Sequence, residues 1–308
     1  MKKIMLMDCD STIPNLALMK ISAYHKSIGD SVGWEESDPD KIYASVIFKK
    51  NRHMVDGLRF VYPNTELDLG GSGYDLDKVL PDEINEQIPD YSIYPHCDSF
   101  YGFTTRGCIR RCPFCIVPIK EGKFHRLYPT IDEAMSHIVD RRYDFSNITF
   151  LDNNILADKE WFIELCNHIA ERYPKAKVDF NQGLDIRLLD DDCIDAMMLL
   201  KPRTCWKFAF DSMAYRSSVE NGIHMLKDHG IDVKHKCEFY VYCDGDDQVD
   251  DAVERARILK GLNATPYSMV NIDAEQTRRL KDFKKWCRPW AFWACDFEDY
   301  QRSLRKSG

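Results

Sequence analysis

A chain of 308 residues can build one large or two ordinary domains with a substantial core. Its composition, 44% apolar and 30% charged, excludes a disordered chain, and no run reaches the ~20 apolar residues of a membrane span. The formal net charge of −8 argues against a large nucleic-acid footprint without excluding a small one.

The start, MKKIMLMDCDSTIPN, carries two lysines and a short apolar run that Asp8 and Asp10 interrupt. It reads as a buried strand over residues 3–8, not as a secretory signal. Twelve cysteines are then expected to be thiols in a reducing compartment, which points to a cytoplasmic protein. The stretch PNLALMKISAYHKSIGD predicts a helix with Pro14 near its start and Gly29 just past its end. SVGW, DKIYASVIF and VYPNTELDLGGSGYD predict three strands, the last running into a glycine turn. Residues 1–96 are therefore expected to form a small Rossmann-like α/β domain. Its last part, LPDEINEQIPDYSIYPHCDSF, reads as a linker punctuated by Pro81, Pro89 and Pro95.

From about residue 100 strands and helices alternate regularly. The strands are YGFTTRG, NITFLDNN, KVDFNQGLD, CWKFAFDS, HKCEFYVYCDG and TPYSMVNID. The helices between them begin with TIDEAMSHIVDRRY, where Thr130 is the expected cap and Glu133 its capping-box partner. Such alternation predicts a parallel sheet covered by helices, here a partial (β/α)6 barrel over residues 97–272, with chemistry at the C-terminal ends of the strands. Residues 273–308 are expected to form a helical tail rich in aromatics. Trp286, Trp290, Phe292 and Trp293 either pack on the core or cap the barrel and stack a base.

The segment GCIRRCPFCIVP sets Cys108, Cys112 and Cys115 in a C-x3-C-x2-C spacing at the end of the first barrel strand. A closed structural zinc site takes four ligands, and His96, Cys97 and His125 are candidates for the fourth. Three thiolates can instead hold three irons of a four-iron, four-sulfur (4Fe-4S) cluster and leave one iron open. Three buried thiols without metal are the remaining reading. The other nine cysteines, such as Cys166 in WFIELCNHIA, read as small buried hydrophobes.

The run GCIRRCPFCIVP, with Phe114 just before its last cysteine, resembles the cluster motif of radical S-adenosylmethionine enzymes. Its continuation CIVPIKEGKFHR looks closest to the methylthiotransferase branch and more loosely like branches with a cobalamin-binding front domain. The resemblance covers roughly residues 100–272. It implies that Cys108, Cys112 and Cys115 bind the cluster and that its open iron takes the amino and carboxylate groups of S-adenosylmethionine. It also implies contacts to that ligand from Asp152 and Asn153 in LDNN, where the family's glycines are missing. Further contacts are implied from Asn181, Gln182 and Arg187 in FNQGLDIR and from Asp211 in AFDS, while VYCDG faintly echoes an adenine motif. Asn and Asp at strand ends are also ordinary turn and cap residues. Arg106 either helps hold ligand or cluster charge or is a surface residue. No catalytic residue is assigned.

The front domain loosely resembles a shortened cobalamin-binding domain through the turn in LDLGGSGYD. It lacks the D-x-H-x-x-G signature and is short, so the sequence weighs against cobalamin, although some relatives bind it without the signature. Nor does the front region carry three further cysteines, and no small β-barrel follows, which argues against methylthiotransfer. The expectation is an enzyme that cleaves S-adenosylmethionine to a 5′-deoxyadenosyl radical and modifies a nucleotide, a nucleic acid or a peptide. A flavodoxin- or ferredoxin-like electron donor is implied, and no membrane. The alternatives are a zinc-binding interaction or nucleic-acid module using the same cysteines, or a homologue that keeps the cluster without turnover.

Overall fold

The computed structural model describes residues 1–306, and the side chains of 1–302. It divides into two compact units. The first holds Met1–Arg111 and Cys115–Leu151, and the second holds Cys112–Phe114 and the chain from Asp152 onward.

The first unit opens with four strands, β1 (Lys3–Asp8), β2 (Ser31–Gly33), β3 (Lys41–Ser45) and β4 (Glu66–Gly70). All pair parallel in the order β2-β1-β3-β4, with Lys3 opposite Ser31, Ile4 opposite Lys41 and Lys41 opposite Glu66. The order reverses between β1 and β3, which in open parallel sheets marks the crevice where ligands bind. The helix Leu16–Ser27 starts where Asn15 accepts a hydrogen bond from Leu18 N, satisfying one orphan donor of the first turn. It buries Leu18, Met19 and Ile21, each contributing roughly 1.5–3 kcal/mol of apolar transfer. A second cluster packs Ala44, Val46 and Leu69 of the sheet region against Val55 and Leu58 of two short helices.

The segment expected to be a linker is packed instead. Tyr91 is fully buried among Phe100, Tyr143 and Phe145. Its hydroxyl donates to Ile138 O (3.0 Å) and accepts from Tyr101 N (3.0 Å). Asp90 beside it accepts from Ser22, Lys26 and Ser92. Burial alone would raise the Asp90 carboxyl, but these three partners hold it below the usual carboxylate range.

Still in the first unit, β5 (Ser99–Gly102) and β8 (Asn147–Phe150) pair parallel, and β6 (Thr105–Arg106) and β7 (His125–Arg126) form a short antiparallel ribbon. The helix after Thr130 runs only over Ile131–Ile138, shorter than TIDEAMSHIVDRRY suggests. Val139 is extended, and Asp140 accepts from the backbone and guanidinium of Arg142, so a local turn replaces the last helical turn.

The second unit contains the parallel pair β9 (Lys177–Phe180) and β10 (Lys201–Pro202), and the parallel sheet β11 (Trp206–Ala209), β12 (Cys237–Cys243), β13 (Thr265–Val270). Two of its helices begin at side-chain caps, Asp158 before Lys159–Arg172 and Asp190 before Asp191–Met198. All six strands expected after residue 100 are present, as β5, β8, β9, β11, β12 and β13, so the protein is a mixed α/β fold with parallel sheets. Alternation along β12 is strict. Cys237, Phe239, Val241 and Cys243 are buried on one face, while Glu238, Tyr240 and Tyr242 stand on the other, partly open face. The tail helices Arg278–Trp286, Pro289–Phe292 and Phe297–Lys306 bury Trp286, Phe292 and Phe297 in the core of this unit, whereas Trp290 is exposed. Among the described residues no helix is long and apolar enough to cross a membrane.

Candidate functional site

The cysteine loop grows from the β6–β7 ribbon. Thr105 pairs with Arg126 and Arg106 with His125, and Cys108 N donates to Gly122 O (3.4 Å), so the loop is closed at its base. Gly107 makes this closure possible: its φ is +74°, and a Cβ there would meet Lys123 O at 2.3 Å. Arg106 is held by an ion pair to Glu121 (2.9 Å) and lies 3.5 Å from the ring centre of Phe103. Its role is therefore to tie the two ends of the loop together. Cys108, Cys112 and Cys115 are all half-buried. The Cys108 sulfur accepts a main-chain hydrogen bond from Arg110 N (3.3 Å). Of the residues considered as a fourth zinc ligand, His96 and His125 are exposed, with His125 Nδ1 hydrogen-bonded to Lys123 O, and Cys97 donates to Ser99 O.

The second unit gathers a polar array at the ends of its strands. Arg187 makes a forked pair with Asp185, Nε to Oδ1 at 2.6 Å and Nη2 to Oδ2 at 2.9 Å, and its guanidinium lies over Tyr215 (4.1 Å). Burial alone would lower the Arg187 value, but the hydrogen bonds to Asp185 raise it, and Cys112 lies near enough for its thiolate to add to the effect. Asn154 donates to Asp185 (3.3 Å), and Asp152 is buried close by in sequence while Asn153 is half-buried. Asn181 gives its carbonyl to Tyr240 Oη (3.2 Å), and Gln182 is exposed. Asp211 accepts from Tyr242 N (3.2 Å), and burial pushes its carboxyl up to about 6 against the pull of that bond and of Arg255 and Arg187. Phe114, between the second and third cysteines, stacks on Tyr242 with ring centres 3.9 Å apart.

Four residues of this array escaped the sequence reading: Asp185, Tyr215, Tyr242 and Arg255. Arg255 is almost fully buried and donates to Phe210 O (2.7 Å) and Tyr242 O (2.8 Å), joining the ends of β11 and β12. Its position on the same helical stripe as Ala252, Ala256 and Leu259 marks the buried face, but a charged residue there reads as a helix charge until its partners are seen.

By sequence the chain matches no described protein family and no curated protein. By structure it matches the radical S-adenosylmethionine methyltransferase TsrM from Kitasatospora setae with cobalamin and a 4Fe-4S cluster bound. The TM-score is 0.62 at 10% identity, over 87% of this chain and 75% of that one. The same methyltransferase with tryptophan substrate and an aza analogue of S-adenosylmethionine bound matches with a TM-score of 0.61 at 11% identity, over 88% and 73%. The chain has the fold of a radical S-adenosylmethionine enzyme. Its cysteine loop fits the cluster of that fold by donor chemistry: three soft thiol ligands, one already receiving a main-chain N–H at sulfur. Among the described residues no three His, Cys, Asp or Glu side chains converge on one ion. A cuboidal cluster asks for no such convergence, since each thiolate takes a different iron.

The two solved structures are of a protein that holds cobalamin, so the sequence argument against a corrin, built on a missing motif and a short domain, is not supported. The strand ends of the front sheet are nevertheless occupied by the chain itself. Asp10 accepts from Ile47 N (2.6 Å), Phe48 N (3.0 Å) and Asn51 Nδ2 (2.9 Å). Asp8 accepts from Tyr94 Oη (2.7 Å), and a Cβ on Gly71 (φ +94°) would meet Val46 O at 2.2 Å. These side chains are engaged by the chain itself, and no step is assigned to a corrin.

Proposed function

We propose that the protein is a radical S-adenosylmethionine enzyme built on a partial (β/α)6 barrel. The observation that carries this reading is the C-x3-C-x2-C loop closed by the antiparallel β6–β7 ribbon just after the parallel strand β5, within a fold shared with a cluster-bearing methyltransferase. Cys108, Cys112 and Cys115 would hold the 4Fe-4S cluster. A cluster held there, reduced by one electron from an external donor, would supply the chemistry that splits S-adenosylmethionine into methionine and a 5′-deoxyadenosyl radical.

The chain's own residues bind and orient. Arg187, its Nε–Nη2 edge held by Asp185 and its face by Tyr215, would offer its remaining Nη1 edge to a carboxylate. Asp152 suits an ammonium, with Asn153 beside it. Asn181 and Gln182 offer amides for ribose hydroxyls, and Asp211 can share a proton with a hydroxyl near neutral pH because its own proton leaves only at about 6. The substrate class proposed is a nucleotide, nucleic acid or peptide, with reduction by a small flavodoxin- or ferredoxin-like donor in the cytoplasm.

The test is anaerobic reconstitution with iron and sulfide, reduction with dithionite, and assay of 5′-deoxyadenosine. Wild type should form it and Cys112→Ala should fall at least 100-fold with loss of bound iron. Zinc in place of iron in the purified protein, with no 5′-deoxyadenosine, would sink the proposal in favour of a zinc-binding module.

A further inference from the structure

A cavity of about 480 Å³ lies wholly within the first unit, and none of its lining residues belongs to the candidate cofactor array. Lys20 enters it from the helix Leu16–Ser27, Asn85 and Glu86 from the stretch after the front sheet, and Arg106 from the base of the cysteine loop. Tyr101, Phe103 and Tyr128 give it an aromatic wall, and His137 and Glu133 line it from the helix Ile131–Ile138.

Lys20 is the charge in this cavity whose hydrogen-bond partners are neutral. Lys20 is half-buried and donates to the carbonyl and side-chain oxygens of Asn85, both neutral acceptors. Glu86 and Glu133 share the cavity, yet among the described residues neither is in ion-pair range of Lys20. Burial, and after it the like charge of Arg106, brings the Lys20 ammonium down to about 8. His137 has its Nδ1 buried without a hydrogen-bond partner, its ring stacked on Tyr128 (4.8 Å between centres). Arg106 is already paired with Glu121, but an ammonium held only by neutral acceptors, with a buried ring nitrogen unsatisfied in the same cavity, is a condition that an added anion relieves.

We propose that this cavity binds a small molecule carrying a carboxylate or phosphate group, with Lys20 as its counter-ion and the aromatic wall against its apolar body. Occupancy would add negative charge beside Arg106, whose other partner, Glu121, closes the far end of the cysteine loop.

Lys20 itself reports on binding. The full-length protein is acetylated with a water-soluble active ester at pH 8, and peptides are quantified by mass spectrometry. Inorganic phosphate or benzoate is added, with chloride at matched ionic strength as control. Lys20 should react faster than the exposed Lys2, and at least one of the two anions should slow it about fivefold or more, saturably, with Lys2 unchanged. Protection by benzoate alone assigns a carboxylate on an apolar body, and protection by phosphate alone assigns a phosphoryl group. No protection beyond chloride overturns the proposal. Melting temperature gives a second reading: the rise produced by the protecting anion should vanish in Lys20→Met and persist in Lys20→Arg. A full rise in Lys20→Met would also overturn it.

Discussion

The C-terminal ends of the front sheet and those of β11 and β12 occupy equivalent places in parallel α/β layers, but they treat their polar groups in opposite ways. At the front sheet, Asp8, Asp10 and the Gly71 turn are engaged by the chain's own backbone and side chains. At β11 and β12, Asp211 has a single backbone donor and a carboxyl raised to about 6, and Tyr242 is drawn into a ring stack. Self-satisfied strand ends stabilise the fold, while strand ends that carry unspent polarity are where a ligand gains most by binding. The fold places both; the side chains decide which end works.

Three substitutions sharpen this contrast. Arg255→Met removes the donor to Phe210 O and Tyr242 O and leaves two buried carbonyls unsatisfied, so it should cost about 3 kcal/mol in urea unfolding, with the m-value unchanged. An effect below about 1 kcal/mol would mean that β11 and β12 hold their ends without it. Gly71→Ala combines a left-handed backbone with a contact inside van der Waals range, and should cost about 2 kcal/mol while leaving 5′-deoxyadenosine formation at the wild-type level. Loss of that product in a folded Gly71→Ala protein would show that the front sheet serves the chemistry directly.

The smallest effect depends on pH. The raised Asp211 carboxyl means that the folded state holds this proton more tightly than the unfolded chain, whose aspartates titrate near ~3.9. The stability from that proton is therefore fully present below about pH 4 and is lost as pH rises through 6. Asp211→Asn keeps an oxygen for Tyr242 N and cannot ionise. It should match wild type at pH 4 and exceed it by about 1 kcal/mol at pH 7, a value discounted because the group is partly open to solvent. Melts that run parallel across this range would remove burial as the cause of the shift.

The sequence was legible where its signal is periodic or chemical. Six strands after residue 100 could be read because apolar residues alternate and caps such as Thr130 punctuate the helices. The three prolines made residues 80–100 look like a linker, since the burial of Tyr91 depends partly on Ile138, far along the chain. The helix after Thr130 was drawn too long because Asp140 and Arg142 compete locally for the backbone. In the candidate site the cysteines were evident from spacing. The Asp185–Arg187 fork was half seen, because two residues of opposite charge separated by one look like surface charge. Arg255 was missed because a buried arginine reads as a solvated helix charge until the carbonyls that receive it are known.

The closed base of the cysteine loop has a consequence for how a cluster would be kept. If the proposed cluster binds there, three thiols carried within eight residues, on a loop whose ends are already tied by Gly107, Gly122 and the Arg106–Glu121 pair, would act as one tridentate chelator. Once the first sulfur is attached, the other two meet the cluster at a high effective concentration, and a thiolate that lets go rebinds before the remaining two release. Retention would therefore fall multiplicatively with each ligand lost, so oxidation of any one of the three sulfurs would weaken the hold on the whole cofactor.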